Sequence, residues 1–248
     1  MADIGRPLPA QQKPATNEYW GESLEDMYQY MEDPSNEEQI RWSKEQSDRA
    51  ARFLSGLPSH GHFREQLERI VLFQTPTYFD VRLRCEEGKQ VFIAQKRLPP
   101  NPQPLLVTFP AVDAEGGVED RVIFNPTEAA GVPALDWIEP SPSGALVALS
   151  LSHGGTERGD AHILRTDTGH FVEGEVTRRV NSPTAGGSIA WVGEDGFYYT
   201  RHPLDGEAPA EDLDFCQKIY FHRMGTPSDA DVFCLGETFP RIAECQLT

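Results

Sequence analysis

The sequence predicts a mainly β fold: a partial β-propeller of about three four-stranded antiparallel blades, preceded by two or three N-terminal helices. Three observations carry this. Residues 145–151 are a short, bounded apolar run, which reads as a buried strand. The turn before it, Ser141-Pro142-Ser143-Gly144, joins a proline of fixed φ to a glycine that accepts positive φ. A weaker copy of strand, turn and strand follows at residues 188–200, with Trp191 before its turn as Trp137 stands before the first. Gly144 and Gly196 are about one blade apart, a blade being roughly 40–50 residues. Four-stranded antiparallel units repeated at that period predict a propeller.

Residues 1–16 are polar and proline-containing and predict an extended arm. Tyr19-Trp20-Gly21 reads as an aromatic anchor, and residues 22–31 as a short helix or turn stopped by Asp33-Pro34. Ser35 is placed to cap a helix whose first turn holds Glu37 and Glu38, and Gly56-Leu57-Pro58 ends it. Residues 62–73 give a second amphipathic helix, with Phe63, Leu67, Ile70 and Val71 on one face. These helices are too few to form a core of their own. They define a segment, 17–74, expected to dock on something else.

The texture changes at Thr75-Pro76-Thr77. Residues 78–85 alternate, which puts Phe79, Val81, Leu83 and Cys85 on one side of a strand. Glu86-Glu87-Gly88-Lys89 turns the chain, and strands at 91–96, 105–109 and 121–125 complete a four-stranded unit. The second unit holds 145–151 and 161–165. The third holds 197–200, 218–223 and 231–235. A fourth unit begins near Ile242, so residues 75–248 comprise blades one to three and the start of blade four. Known rings have roughly 4–8 blades, and an open arc exposes strand edges. The chain therefore reads as the opening segment of a larger protein.

Composition bounds the function. The 248 residues carry a net charge of −17, with 38% hydrophobic residues, 21 Gly and 20 Pro. That fits a turn-rich globular protein and excludes long-range attraction to nucleic acid or an anionic membrane. No apolar run approaches the roughly 20 residues that span a bilayer, and the N-terminus lacks a hydrophobic signal core. A cytoplasmic protein is expected. Cys85, Cys216, Cys234 and Cys245 are widely spaced without a C-x-x-C pair, so they read as free thiols.

Acyl transfer needs a serine on a strained elbow, a base and an oxyanion hole. The Gly-x-Ser-x-Gly elbow is missing from the sequence. Gly186-Gly187-Ser188 is followed by Ile189-Ala190-Trp191, where small residues would be required, and reads as a loop entering a strand. His60-Gly61-His62 offers two metal ligands without a third and reads as an interhelical loop. His222 sits within a strand as a packed or hydrogen-bonded residue, and His153 and His162 flank a turn. Glu37-Glu38 and Glu86-Glu87 read as a helix start and a turn, not as a catalytic pair. No catalytic residue, metal site or cofactor is predicted.

Ordered motifs from Tyr19 onward resemble the N-terminal end of the prolyl oligopeptidase family of serine peptidases. Tyr19-Trp20-Gly21-Glu22-Ser23, Tyr30-Met31-Glu32-Asp33-Pro34, Trp42 and Gln46 are similar to its opening helical signature. Asn125-Pro126, Ser141-Pro142-x-Gly144, Leu149-Ser150-x-Ser152, Ile189-Ala190-Trp191, Gly196-Phe197-Tyr198-Tyr199-Thr200-Arg201 and the run from Gln217 through His222 to Pro227 are similar to its first blades. The chain departs from the family pattern at Gln29, at Arg158 after Glu157, and at Gly186.

The resemblance implies an α/β-hydrolase domain bearing a Ser-Asp-His triad, capped by a seven-bladed propeller that admits short peptides. The N-terminal helices would pack on that hydrolase domain, which these residues do not include. It also implies that Glu157 faces the hydrolase domain and pairs with an arginine there, the alternative being a solvated loop carboxylate. Cys234 matches a cysteine that approaches the substrate pocket, the alternative being a small core residue. The expected function is part of an endopeptidase that cleaves short proline-containing peptides after proline, inactive by itself. A short non-enzymatic binding or assembly module, one half of a split enzyme, and the related oligopeptidase specific for basic residues stay open.

Overall fold

The structure, a computed structural model, describes residues 7–72, 75–86, 88–110, 117 and 119–248. Residues 1–6 of the expected arm, Phe73 of the second helix and Glu87 of the first blade turn lie outside the described residues. The chain divides into two compact units, Met1–Phe73 and Gln74–Thr248.

In the first unit, strands β1 (Ala15–Tyr19) and β2 (Glu22–Asp26) form an antiparallel hairpin. This corrects the expectation of a helix or turn at 22–31. Trp20 and Gly21 form the two-residue turn, both at positive φ (52° and 83°), the combination that matches the twist of paired strands. Trp20 is fully exposed there, so it is a turn residue and not an anchor. A single 3-10 turn, Gln29–Glu32, follows.

Helix α1 (Glu37–Ser55) is capped by Asn36, whose Oδ1 accepts from the backbone N–H of Glu38 (3.0 Å) and Gln39 (3.2 Å). Ser35 is not the cap. Its N–H and Oγ donate to Asp33 Oδ1. Gly56 ends the helix as expected. Helix α2 (His60–Leu72) starts two residues early, so His60, Gly61 and His62 form its first turn instead of a loop. The arm is tied to α1, because Leu8 O accepts from Trp42 Nε1 (3.0 Å) and Gln46 Nε2 (2.9 Å). Neither helix contains a buried residue.

The second unit is three four-stranded antiparallel sheets, each a simple meander. Blade one is β3 (Thr77–Glu86), β4 (Lys89–Arg97), β5 (Leu105–Phe109) and β6 (Arg121–Phe124). Blade two is β7 (Ala134–Pro140), β8 (Leu146–Ser152), β9 (Gly159–Arg165) and β10 (Phe171–Asn181). Blade three is β11 (Ile189–Val192), β12 (Gly196–Arg201), β13 (Lys218–Arg223) and β14 (Val232–Leu235). Among the described residues, no strand forms after Leu235.

Strand β8 shows why its sequence is a continuous apolar run. Successive side chains of a strand point to opposite faces. Val147, Leu149 and Leu151 pack with Ile93, Leu106 and Ile123 of blade one. Ala148, on the other face, packs with Ala161, Phe197 and Tyr199 toward blade three. A middle blade is covered on both sides, so alternation disappears. Small alanines from blade two face large rings from blade three, which lets the layers interdigitate.

The turn at 141–144 is close-packed. Gly144 has φ of 76°, and a Cβ there would stand 2.6 Å from Val91 of blade one. Glycine is required for both the conformation and the approach.

Strand β3 differs from its expected alternation. Phe79 pairs with Gln95, but Arg82 pairs with Ile93, so one extra residue is inserted between them. Asp80 takes φ of 49° at this bulge. The insertion reverses the faces, and Phe79 no longer shares a side with Val81 and Leu83. Val81 and Leu83 are exposed, while Arg82 and Arg84 turn toward blade two.

Candidate functional site: the cleft between the first strands

The first strands of the three blades, β3, β7 and β11, line one cleft of about 520 Å³. The β3 bulge supplies its cations. Arg84 Nη2 donates to Glu139 Oε1 (2.7 Å) and to Pro140 O (3.1 Å), and Arg84 Nε donates to Ser141 O (3.2 Å). Trp191 Nε1 donates to the carbonyl of Glu139 (2.9 Å). Glu139 of blade two is therefore held by blade one through its carboxylate and by blade three through its backbone.

Arg82 is less committed. Its Nε donates to Asp80 Oδ1 (3.0 Å), and its Nη1 lies 3.9 Å from Glu139 Oε2. Trp137, Pro140, Pro142 and Trp191 give the cleft flat apolar walls. Its aromatic rings can make flat contacts, and its guanidinium groups can donate to a carbonyl or carboxylate.

Ser188 also lines this cleft. Its Oγ accepts from the backbone N–H of Leu247 (2.9 Å), and its own N–H donates to Thr200 Oγ1 (2.9 Å). It is the entry to β11, held between two neighbours, with no general base among these partners.

Glu157 lies in the β8–β9 loop, exposed, at φ of 56°. Its carbonyl accepts from Asn181 Nδ2 (2.9 Å). Arg158, which follows it, donates to both carboxylate oxygens of Asp214 (2.9 and 2.6 Å), and Arg179 Nη2 reaches the same carboxylate (3.1 Å). Although burial pushes the Asp214 carboxyl up, the hydrogen bonds from the two arginines outweigh it and hold the group below its ordinary value. The residue that departs from the family pattern thus ties the Glu157 loop to blade three.

Cys234 is exposed on the outermost strand β14, with Sγ 3.3 Å from Val232 O. It is not a packed core residue. Glu157 and Cys234 stand on different blades.

His222 is fully buried between blades two and three, with Nε2 at 2.8 Å from Glu175 Oε2 and Nδ1 at 2.7 Å from Asp231 Oδ1. Asp231 Oδ2 also accepts from Tyr199 Oη (2.7 Å). Expected as a hydrogen-bonded strand residue, it is the centre of a buried ionic network. Among the described residues, no group of three His, Cys, Asp or Glu side chains has metal-binding geometry, and no helix is long and apolar enough to cross a membrane.

Three four-stranded antiparallel blades in sequence define a β-propeller domain. The comparisons with known proteins narrow this. A profile described as prolyl oligopeptidase, N-terminal beta-propeller domain, matches residues 7–247, and the chain belongs to that family.

The chain is similar to the prolyl endopeptidases of Elizabethkingia miricola and Elizabethkingia meningoseptica, each at 27% identity over 229 residues. Either match covers 91% of this chain and 30% of the relative, so the chain spans less than a third of their length. Among solved structures it is similar to a prolyl endopeptidase examined for inter-domain dynamics (TM-score 0.74, 18% identity, 93% of this chain and 32% of that one). It is also similar to oligopeptidase B from Leishmania major (TM-score 0.68, 16% identity, 94% and 33%). At these identities the solved structures establish the fold alone.

Proposed function

We propose that this chain is the helix-and-propeller portion of a serine endopeptidase that cleaves short peptides after proline, and that the 248 residues alone do not hydrolyse them. The family match across residues 7–247 carries this reading. The similarity to prolyl endopeptidases at 27% identity supports proline-containing peptides as the substrate class. Helices α1 and α2, which bury none of their own residues, would pack on an α/β-hydrolase domain. The cleft between the first strands would filter peptides by size. Glu157 would meet an arginine of the hydrolase domain, and Cys234 would approach the substrate from the propeller side. The enzyme would act in the cytoplasm, and a surface of net charge −17 would not hold nucleic acid or an anionic membrane.

The test has two arms. The purified chain is assayed with a chromogenic peptide carrying proline before the scissile bond, and again after mixing with a separately expressed hydrolase domain of a prolyl endopeptidase. The expected result is no turnover alone and turnover in the mixture that exceeds the hydrolase domain by itself. Turnover by the isolated chain, or no effect of the chain on the hydrolase domain, would overturn the proposal.

A further inference from the structure

The loop between β8 and β9, residues 153–158, is exposed throughout, yet both of its ends are fixed. At its start, Ser150 Oγ and Ser152 Oγ each donate to Asp136 (2.7 Å), which ties the end of β8 to β7. At its finish, Gly159 is buried, and a Cβ there would overlap Ser150 Oγ and Asp136 Oδ2. Between them, Thr156 closes a turn onto the His153 carbonyl, which accepts from its N–H (3.2 Å) and from its Oγ1 (2.9 Å).

Glu157 sits at the strained point of this loop. Its φ of 56° lies in the left-handed region, which a residue with a Cβ holds only when its surroundings impose it. Two contacts impose it, and both bear on the peptide that joins Glu157 to Arg158. Buried Asn181 of β10 donates from Nδ2 to the Glu157 carbonyl (2.9 Å). Arg158 reaches across to blade three and donates to both oxygens of Asp214 (2.9 and 2.6 Å), a forked pair that sets direction as well as distance. Asp214 is anchored in turn by Arg179 Nη2 (3.1 Å).

The Glu157 carboxylate itself is left free. It has no hydrogen bond or ion pair among the described residues. The loop therefore spends its contacts on the backbone of Glu157 and presents the side chain unpaired. The Arg158 side chain is half-exposed, and an exposed ion pair adds little to stability. Its consequence is the direction in which the loop points.

We propose that Arg158, anchored on Asp214, is a positioning residue that aims the Glu157 carboxylate at a guanidinium of the hydrolase domain. This rests on the endopeptidase reading above and adds the source of the geometry, a salt bridge at the position where the chain departs from the family pattern. A carboxylate fixed before the encounter meets a guanidinium without a further ordering cost. Without Arg158, Glu157 relaxes toward negative φ and its carboxylate turns away.

The experiment has two readouts. Calorimetry measures the affinity of the full chain for the separately expressed hydrolase domain of a prolyl endopeptidase. Backbone couplings in the free chain report φ at Glu157. Glu157→Gln should weaken binding about tenfold or more, the loss of a charge-assisted bond. Arg158→Ala should weaken it nearly as much, and Arg158→Lys, which keeps the charge without the fork, should recover part of the loss. Asp214→Asn should reproduce Arg158→Ala from the other side of the pair. Adding Arg158→Ala to Glu157→Gln should cost nothing further, because Arg158 acts through Glu157. In the free chain, Arg158→Ala and Asp214→Asn should each move Glu157 out of positive φ.

Additive losses in the double variant would mean a clamp that only joins blades two and three, and would overturn the proposal. So would a Glu157 that keeps its positive φ in both Arg158→Ala and Asp214→Asn. A wild-type chain that does not bind the hydrolase domain would overturn the endopeptidase reading instead, and the couplings in the free chain would then decide whether Arg158 sets the loop.

Discussion

His222 Nε2 of blade three lies 2.8 Å from Glu175 Oε2 of blade two, and both side chains are buried. The same imidazole bonds Asp231 through Nδ1, and Glu175 Oε1 accepts the backbone N–H of Gly225 (2.5 Å). One histidine between two carboxylates is a charge-bearing latch between blades.

Its pH dependence follows from the sign of the shift. Burial pushes the imidazole down, but the hydrogen bonds to Asp231 and Glu175 together outweigh it, and the net shift is upward from 6.5. A raised folded-state value means that the contribution is fully present below the unfolded value and is lost as pH rises through the folded one. Urea denaturation from about pH 6 to about pH 9 should show a falling midpoint that His222→Asn makes flat by comparison. An equal slope in wild type and variant would refute the latch.

Arg84 and Glu139 join blades one and two at the cleft. Arg84→Ala strands the Glu139 carboxylate and two carbonyls, and should cost about 1–3 kcal/mol. Replacing Arg82, which is half-exposed and bonded chiefly to its neighbour Asp80, should cost under about 1 kcal/mol. Chemical denaturation of the two variants side by side checks the order.

Leu149 is fully buried against blade one. Leu149→Ala should destabilise by about 2–5 kcal/mol through lost burial and a residual cavity. Leu83→Ala, on the face that the β3 bulge turns outward, should change stability by only about 0.5 kcal/mol. Equal losses at the two sites would mean that β3 keeps an unbroken alternation.

Asn36 caps α1. Asn36→Ala should weaken the first turn by about 1 kcal/mol, read as roughly fivefold faster hydrogen exchange at Glu38 and Gln39. Ser35→Ala should leave those two amides unchanged.

The strands were legible because their signals are local. The apolar run at 145–151, the Pro-Gly turn before it and the repeat at Trp191 need only a few neighbours to be read, and their order carries the family resemblance. The failures have physical causes. Strand β10 holds Glu173, Glu175, Thr177, Arg178 and Arg179, so its period is masked by polar residues whose partners lie on other strands. The hairpin at Trp20-Gly21 has no local sequence signal, because a tryptophan rarely adopts the positive φ that its turn requires.

By itself, then, the sequence determined the fold class, the blade repeat and the propeller family. Tertiary structure alone decided which face of β3 carries Arg82 and Arg84, because a single left-handed residue at Asp80 reverses every side chain beyond it. It also decided that Glu175 meets His222 across 47 residues. A buried polar group acquires its partner only when the sheets stack, and that pairing depends on distances in space that no local pattern records.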